Sequence, residues 1–284
     1  MLTRLKVDGF KNLDRVDIRF GPFTCIAGPN GVGKSNFFDA IRFLSALADK
    51  PLIDAALSVR GGAGGDVRSI FRRVGGTNAS TMSFLVEMII PRSGEDALGQ
   101  LAEASMTYLQ YEITLRYRED SSGRPLGGIE LVTEQLVHLN KKVAKGNLGF
   151  LHEKKWRDSA IVGRRTSAYI STDEGGLVSL HADSKGGQTG GRPRKVRADS
   201  VPRTMLSSVN NAAEHRTLVL ARQEMMSWTE LQLEPSALRA PDSFTAPPAI
   251  ASNGAHLPAT LHHLARLAGQ QESGGEENLL SFDG

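Results

Sequence analysis

Gly28-Pro29-Asn30-Gly31-Val32-Gly33-Lys34-Ser35 fills every fixed position of the phosphate-loop (Walker A) pattern GxxxxGK[ST]. The chemistry explains the spacing. Glycines let successive backbone N–H groups turn inward around phosphate oxygens with no Cβ in the way. A helix starting near Lys34 aims the positive end of its dipole at the same anion. Lys34 is then expected to reach the β- and γ-phosphates, and the Ser35 hydroxyl to ligate Mg²⁺. The expected ligand is a nucleoside triphosphate with its metal.

Such a loop works only between a buried strand and a helix. Residues 23–27, Phe-Thr-Cys-Ile-Ala, form an apolar run of the right length for that strand. A helix is expected over residues 34–48, with Phe37, Ile41, Leu44 and Ala48 on one face, Phe38 widening it, and Pro51 stopping it. Residues 2–9 and 15–20 read as two short strands joined to the run by Gly21-Pro22. Residues 61–80 are glycine-punctuated around a short helical or irregular piece at 67–74. Strands are then expected at 81–90, 106–118, 129–138, 167–171 and 177–181. In the second of these, Tyr111, Ile113, Leu115 and Tyr117 alternate with polar residues, as in an antiparallel sheet with one wet face. A helix over 211–228, a strand at 230–233 and a last helix from Pro258, with Leu261, Leu264 and Leu267 on one side, complete the series. The expected organisation is a nucleotide-binding lobe (1–60), a β-rich insertion (61–210) and a helix–strand–helix region (211–284).

Composition sets the outer bounds. The 284 residues are 40% hydrophobic, with 34 Lys+Arg against 31 Asp+Glu for a formal charge of +3. With glycine counted and tyrosine left out, the apolar share is about 49%, as in folded soluble domains rather than disordered chains. No run of 18 apolar residues occurs, so no membrane partner is expected. A single cysteine, Cys25, fits a reducing, cytoplasmic setting. The charge is uneven: residues 141–203 hold 14 Lys/Arg against 6 acids. The tightest part, residues 186–202 (GGQTGGRPRKVRADSVP), reads as a flexible basic loop, either a phosphate-tracking element or a solvated surface.

Residues 9–41, GFKNLDRVDIRFGPFTCIAGPNGVGKSNFFDAI, resemble the opening of the RecF/SMC-like ATPases, the ABC-type group that includes AAA-family ATPases of the OLD kind. Phe10-Lys11-Asn12 on the turn after the first strand and Asn36 directly after Ser35 carry the likeness. Residues 231–241, Asn253-Gly254 and 257–261 are similar to a later stretch of the same ATPases. The resemblance implies the first lobe of an ABC-type P-loop head, an α/β fold, with inserted antiparallel strands over 81–182. It places Lys11 and Asn12 beside bound nucleotide, with ATP and Mg²⁺ as cofactors. It further implies ATP-sandwiched homodimerisation, action on DNA in repair, genome maintenance or phage defence, and a possible nuclease partner.

Hydrolysis in such heads also needs four apolar residues followed by Asp-Glu, to hold Mg²⁺ and polarise the attacking water. No such run occurs. Residues 279–284 (Leu-Leu-Ser-Phe-Asp-Gly) come nearest, interrupted by Ser281 and lacking the Glu. Residues 184–188 (Ser-Lys-Gly-Gly-Gln) mimic a signature loop only superficially. His262 and His263 are read as structural. No catalytic residue is therefore identified. The expectation is that the second half of the head lies beyond Gly284, and that this chain alone binds ATP without efficient hydrolysis.

Three other readings remain. An ABC-transporter ATPase subunit shares the loop but would carry Ser/Thr-Thr where Ser35-Asn36 stands. A small-molecule kinase or GTPase is another; a GTPase could use residues 120–123 (Asp-Ser-Ser-Gly) and Asn140-Lys141, yet Val143 occupies the guanine-reading position. A non-hydrolysing ATP-binding module is the last.

Overall fold

A computed structural model of the chain describes residues 1–60, 66–119, 128–163, 165–183 and 193–277. Residues 1–228 and 229–284 form two compact units.

The first unit is organised by one eight-stranded sheet. Strand β1 (Leu2–Asp8) buries Thr3, Leu5 and Val7 in alternation, and pairs antiparallel with β2 (Val16–Arg19). Helix α1 (Lys34–Leu47) follows the glycine loop. Helix α2 (Leu52–Leu57) then starts directly after Pro51, whose fixed φ suits a helix entry. A 3₁₀ turn (Val67–Ile70) leads to a hairpin, β3 (Arg73–Val74) and β4 (Thr77–Asn78). Gly75 and Gly76 supply the two positive φ angles that a two-residue hairpin turn demands. Strand β5 (Thr81–Ile89) joins the other edge of β1.

A small hairpin, β6 (Ser93–Glu95) and β7 (Leu101–Glu103), precedes the long pair β8 (Tyr108–Arg118) and β9 (Gly128–His138). Two seven-residue helices follow, α3 (Lys141–Asn147) and α4 (Lys154–Ala160). Strands β10 (Ile170–Thr172), β11 (Leu177–Leu180) and β12 (Arg194–Arg197) complete the sheet in the order β12-β11-β10-β9-β8-β5-β1-β2. Helix α5 (Ala212–Met226) closes the unit. Every strand pairing among the described residues is antiparallel. The core lies where α1, α2 and α5 cover the sheet. Phe10 stacks on Phe43 at 5.6 Å, and both rings meet Phe84.

Several expectations change. Residues 23–27 do not form a strand: Phe23 is 87% exposed, and Cys25 is exposed too. A parallel strand is stabilised by neighbours on both edges and cover on both faces, and none of the described strands pairs with this run. The sheet is thus mixed-class by its helices but antiparallel throughout. On α1 the buried residues are Phe37, Asp39, Ala40, Phe43, Leu44 and Leu47, while Phe38 turns outward. The basic stretch is not a loop throughout, since residues 194–197 are an edge strand in which Val196 faces Val178. Exposed Arg and Lys on an edge strand discourage pairing with other chains. Residues 186–192, the signature mimic at 184–188 and the Leu-Leu-Ser-Phe-Asp-Gly run at 279–284 lie outside the described residues, as does Asp120-Ser-Ser-Gly123.

In the second unit, residues 230–233 are extended without being a strand; Gln232 and Glu234 donate backbone N–H bonds to the Ser252 and Asn253 carbonyls. Helix α6 (Pro235–Arg239) has proline at its first turn. Helix α7 (Leu257–Glu277) is capped by Asp242, whose carboxylate accepts from the Ala259 N–H at 3.0 Å. Leu261, Leu264 and Leu267 line one side of α7 as expected and are each about half exposed, and His262 and His263 are exposed. No helix among the described residues is long and apolar enough to cross a membrane.

One buried acid gives the first unit a pH dependence. Glu134 on β9 is fully buried and accepts from the Met205 N–H at 2.6 Å, the Leu206 N–H at 2.9 Å and the Tyr111 hydroxyl at 3.1 Å. Burial outweighs those donors and pushes its carboxyl up to about 7 from 4.5. The native state therefore binds more protons than the unfolded chain between those values, so stability falls as pH rises through that window. Between pH 4 and pH 8 the wild type should lose about 3 kcal/mol that Glu134→Gln keeps. Urea unfolding of both proteins at the two pH values measures the difference.

Candidate functional site

The glycine loop and its surroundings come from three stretches of the first unit: the turn after β1, the start of α1, and the segment after α2. Gly31 and Gly33 take positive φ angles of 85° and 105°. Open space surrounds the Gly31 Cα. At Gly33 a Cβ would lie 2.8 Å from the Asn12 carboxamide. Only glycine meets both demands, an unusual φ and the close approach of a side chain.

Helix α1 begins with Gly33 as N-cap and no side-chain cap, and its first turn carries no acidic residue. The first amides of a helix lack partners within it. At this terminus no side chain of the helix satisfies or neutralises them, which is the condition under which an N-terminus takes an anion. The Lys34 ammonium lies across the loop, donating to the Gly28 and Pro29 carbonyls at 2.6 Å each. To meet a phosphate it has only to leave those two acceptors. Ser35 is exposed at the same end of the helix, as are Pro29, Asn30 and Val32. The donor set, unpaired helix amides with one ammonium and one hydroxyl, fits a polyphosphate carrying Mg²⁺.

The two residues after Phe10 have different fates. Asn12 joins the loop: its Oδ1 accepts from the Asn36 Nδ2 at 2.8 Å, and its carboxamide closes over Gly33. Lys11 turns inward instead, its Nζ donating to the Asp39 Oδ2 at 2.6 Å with the side chain only 9% exposed. The Lys11 backbone holds it there, with φ 51° and its N–H on the Ile70 carbonyl at 2.8 Å. The structure thus brings Asn12, Asn36 and the loop together and leaves the Lys11 ammonium on a carboxylate.

That carboxylate belongs to a cluster that sequence reading missed. Asp39 is fully buried one turn beyond Ser35, so the two share a helix face. Arg60 donates from Nε and Nη2 to Asp39, at 3.1 and 3.0 Å, and from Nη2 to the Ser35 carbonyl at 2.9 Å. Asp39 therefore ties the start of α1 to the turn after β1 and to the segment after α2. The available signal was an acid amid Phe37, Phe38, Ala40 and Ile41, a setting that requires a cationic partner.

Comparison with known proteins bears on this same region. The RecF/RecN/SMC N terminal domain matches residues 1–55. Over 41 residues the chain is 49% identical to the OLD nuclease of Thermus scotoductus, covering 14% of this chain and 8% of that protein. Over 46 residues it is 39% identical to the DNA replication and repair protein RecF of Phocaeicola vulgatus, covering 16% of this chain and 12% of RecF. The match therefore spans no more than 12% of the length of these curated relatives. Among solved structures, a chain from work on ATP-driven dimerization and DNA-stimulated activation of SMC ATPases aligns at a TM-score of 0.31 and 18% identity, covering 52% of this chain and 76% of that one. Residues 1–55, the stretch that holds the whole glycine loop, are thus the part of the chain that is similar to the RecF/RecN/SMC N terminal domain.

Proposed function

We propose that this chain supplies the ATP-binding lobe of a RecF/SMC-like ATPase head that acts on DNA. The carrying observation is the uncapped start of α1, with glycines of positive φ at 31 and 33 and Lys34 lying across the bend. Gly28 to Ser35 cradle the triphosphate, Asn12 and Asn36 buttress the loop, and the Ser35 hydroxyl ligates Mg²⁺. ATP hydrolysis belongs to the complete, dimerised head, because these 284 residues hold no run of four apolar residues followed by Asp-Glu to position the attacking water. Residues 1–60 serve as the nucleotide-binding lobe, 61–210 as its β-rich insertion and 211–284 as the connection toward a second lobe. ATP-sandwiched homodimerisation, a DNA substrate and a nuclease partner fit the same reading.

The test is a titration of the full chain with a fluorescent ATP analogue, with and without Mg²⁺, competed by ATP and by GTP. Saturable binding that ATP reverses and Mg²⁺ strengthens is expected. Preferential displacement by GTP, or no binding, overturns the reading.

A further inference from the structure

The excursion between β9 and β10 concentrates charge that the nucleotide site does not use. Residues 141–158 hold six Lys/Arg, namely 141, 142, 145, 154, 155 and 157, against Glu153 and Asp158. All five lysines are exposed. Asp158 links the two helices through Lys141 at 3.2 Å and pairs within α4 with Lys154 at 3.9 Å. The Lys141 ammonium, with Lys154 and Arg157 nearby, holds the Asp158 carboxyl below its ordinary range. Lys142, Lys145 and Lys155 have no carboxylate in ion-pair range among the described residues. The surface thus carries a net positive charge that its own acids leave largely uncompensated.

Aromatic rings sit within the same stretch. Trp156 is 37% exposed and held edge-on by Phe150 at 5.4 Å and His152 at 5.6 Å. Such packing fixes an indole that keeps part of its surface open. The excursion is anchored to the sheet through Tyr108, Ala144, Leu148 and Ile161, with Arg19 of β2 donating to the Asn147 carbonyl. Phe150 packs against Gly21, where the chain leaves β2 on its way to the glycine loop. Arg19 and Gly21 lie at the end of β2 away from the β1–β2 turn whose Asn12 closes over the glycine loop, so the charged surface and the phosphate-binding bend contact opposite ends of that strand pair.

Lysines in excess mark a polyanion by charge complementarity, and a braced, part-exposed tryptophan among them marks a partner with planar unpaired bases. Neither seven-residue helix offers the long apolar face that lying in a membrane surface requires. We infer that α3 and α4 bind a single-stranded polynucleotide, with phosphates on Lys142, Lys145 and Lys155 and an unpaired base against Trp156. This deepens the proposed action on DNA, resting on that reading for the choice of DNA, but it needs no nucleotide in the glycine loop.

The experiment is fluorescence anisotropy of a labelled oligothymidylate of about 20 nucleotides (a length exceeding the known single-strand site sizes) against the full chain, over a salt series, without ATP. The wild type should bind. Lys142→Glu/Lys145→Glu/Lys155→Glu should weaken binding at least about tenfold at low salt and flatten the log–log salt slope by about 2, the value for three single-strand phosphate contacts. Trp156→Ala should weaken the oligothymidylate about tenfold and leave a duplex of equal length unaffected. Lys34→Ala should bind the oligonucleotide as the wild type does, so failure at the nucleotide site and failure at this surface are read separately. Circular dichroism and melting confirm folding, and Lys→Gln versions replace any charge reversal that fails to fold. The inference is overturned by a wild type that does not bind, or by folded variants that bind like the wild type. It is overturned equally if the lysines govern binding to anionic vesicles or to duplex DNA alone.

Discussion

Lys34→Ala should lower ATP affinity at least about 100-fold, the equivalent of about 3 kcal/mol for an ammonium that meets two phosphates. The fold should survive. Among the described residues the Lys34 ammonium hydrogen-bonds only the Gly28 and Pro29 carbonyls, which lie on an exposed bend and pass to water when the side chain goes. Lys34→Arg should recover little, because a planar fork does not replace a compact ammonium inside a loop of backbone amides. Isothermal titration with Mg·ATP, paired with thermal unfolding of the apo-proteins, separates the two effects. An affinity within threefold of the wild type would overturn the cradle (a difference of about 0.65 kcal/mol, far below a lost charge-assisted contact). A lowered melting temperature with unchanged affinity would instead make Lys34 a structural residue.

Much of this arrangement was legible along the chain, and the reason is local. The alternation Tyr111, Ile113, Leu115 is a period-2 signal that each residue carries by itself, and β8 buries all three. Gly33 and Lys34 mark the start of α1 because a positive φ and a helix terminus are properties of neighbouring residues. Non-local requirements could not be read the same way. The run at 23–27 has strand composition, yet strand formation depends on partners elsewhere in the sequence, and the described strands pair without it. Glu134 looks like a solvent-facing acid in an alternating strand. Its burial depends on the Met205 and Leu206 amides, some seventy residues away. Lys11 reads as a free basic residue beside a phosphate site until the fold presents it with Asp39.

That last pairing carries the second large effect. Asp39→Asn should destabilise the first unit by about 3–5 kcal/mol, because it leaves the Lys11 ammonium buried without its counter-charge. Lys11 cannot simply turn to solvent, since its backbone is fixed by the bond to Ile70 and its ammonium lies 5.6 Å over the Phe10 ring. Lys11→Met should cost less. It leaves Asp39 with the Arg60 guanidinium, whose two donors lie at 3.0 and 3.1 Å. The double variant Asp39→Asn/Lys11→Met removes both charges and should lose less than the sum of the single changes, a coupling of about 1–3 kcal/mol in a double-mutant cycle. Urea unfolding of the four proteins measures it. Strict additivity would mean that Asp39 acts through Arg60 alone, by holding the Ser35 carbonyl in place. In that case Arg60→Lys, with one ammonium for a fork, should reproduce the Asp39→Asn loss, and the start of α1 would owe its position to the segment after α2 rather than to the turn after β1.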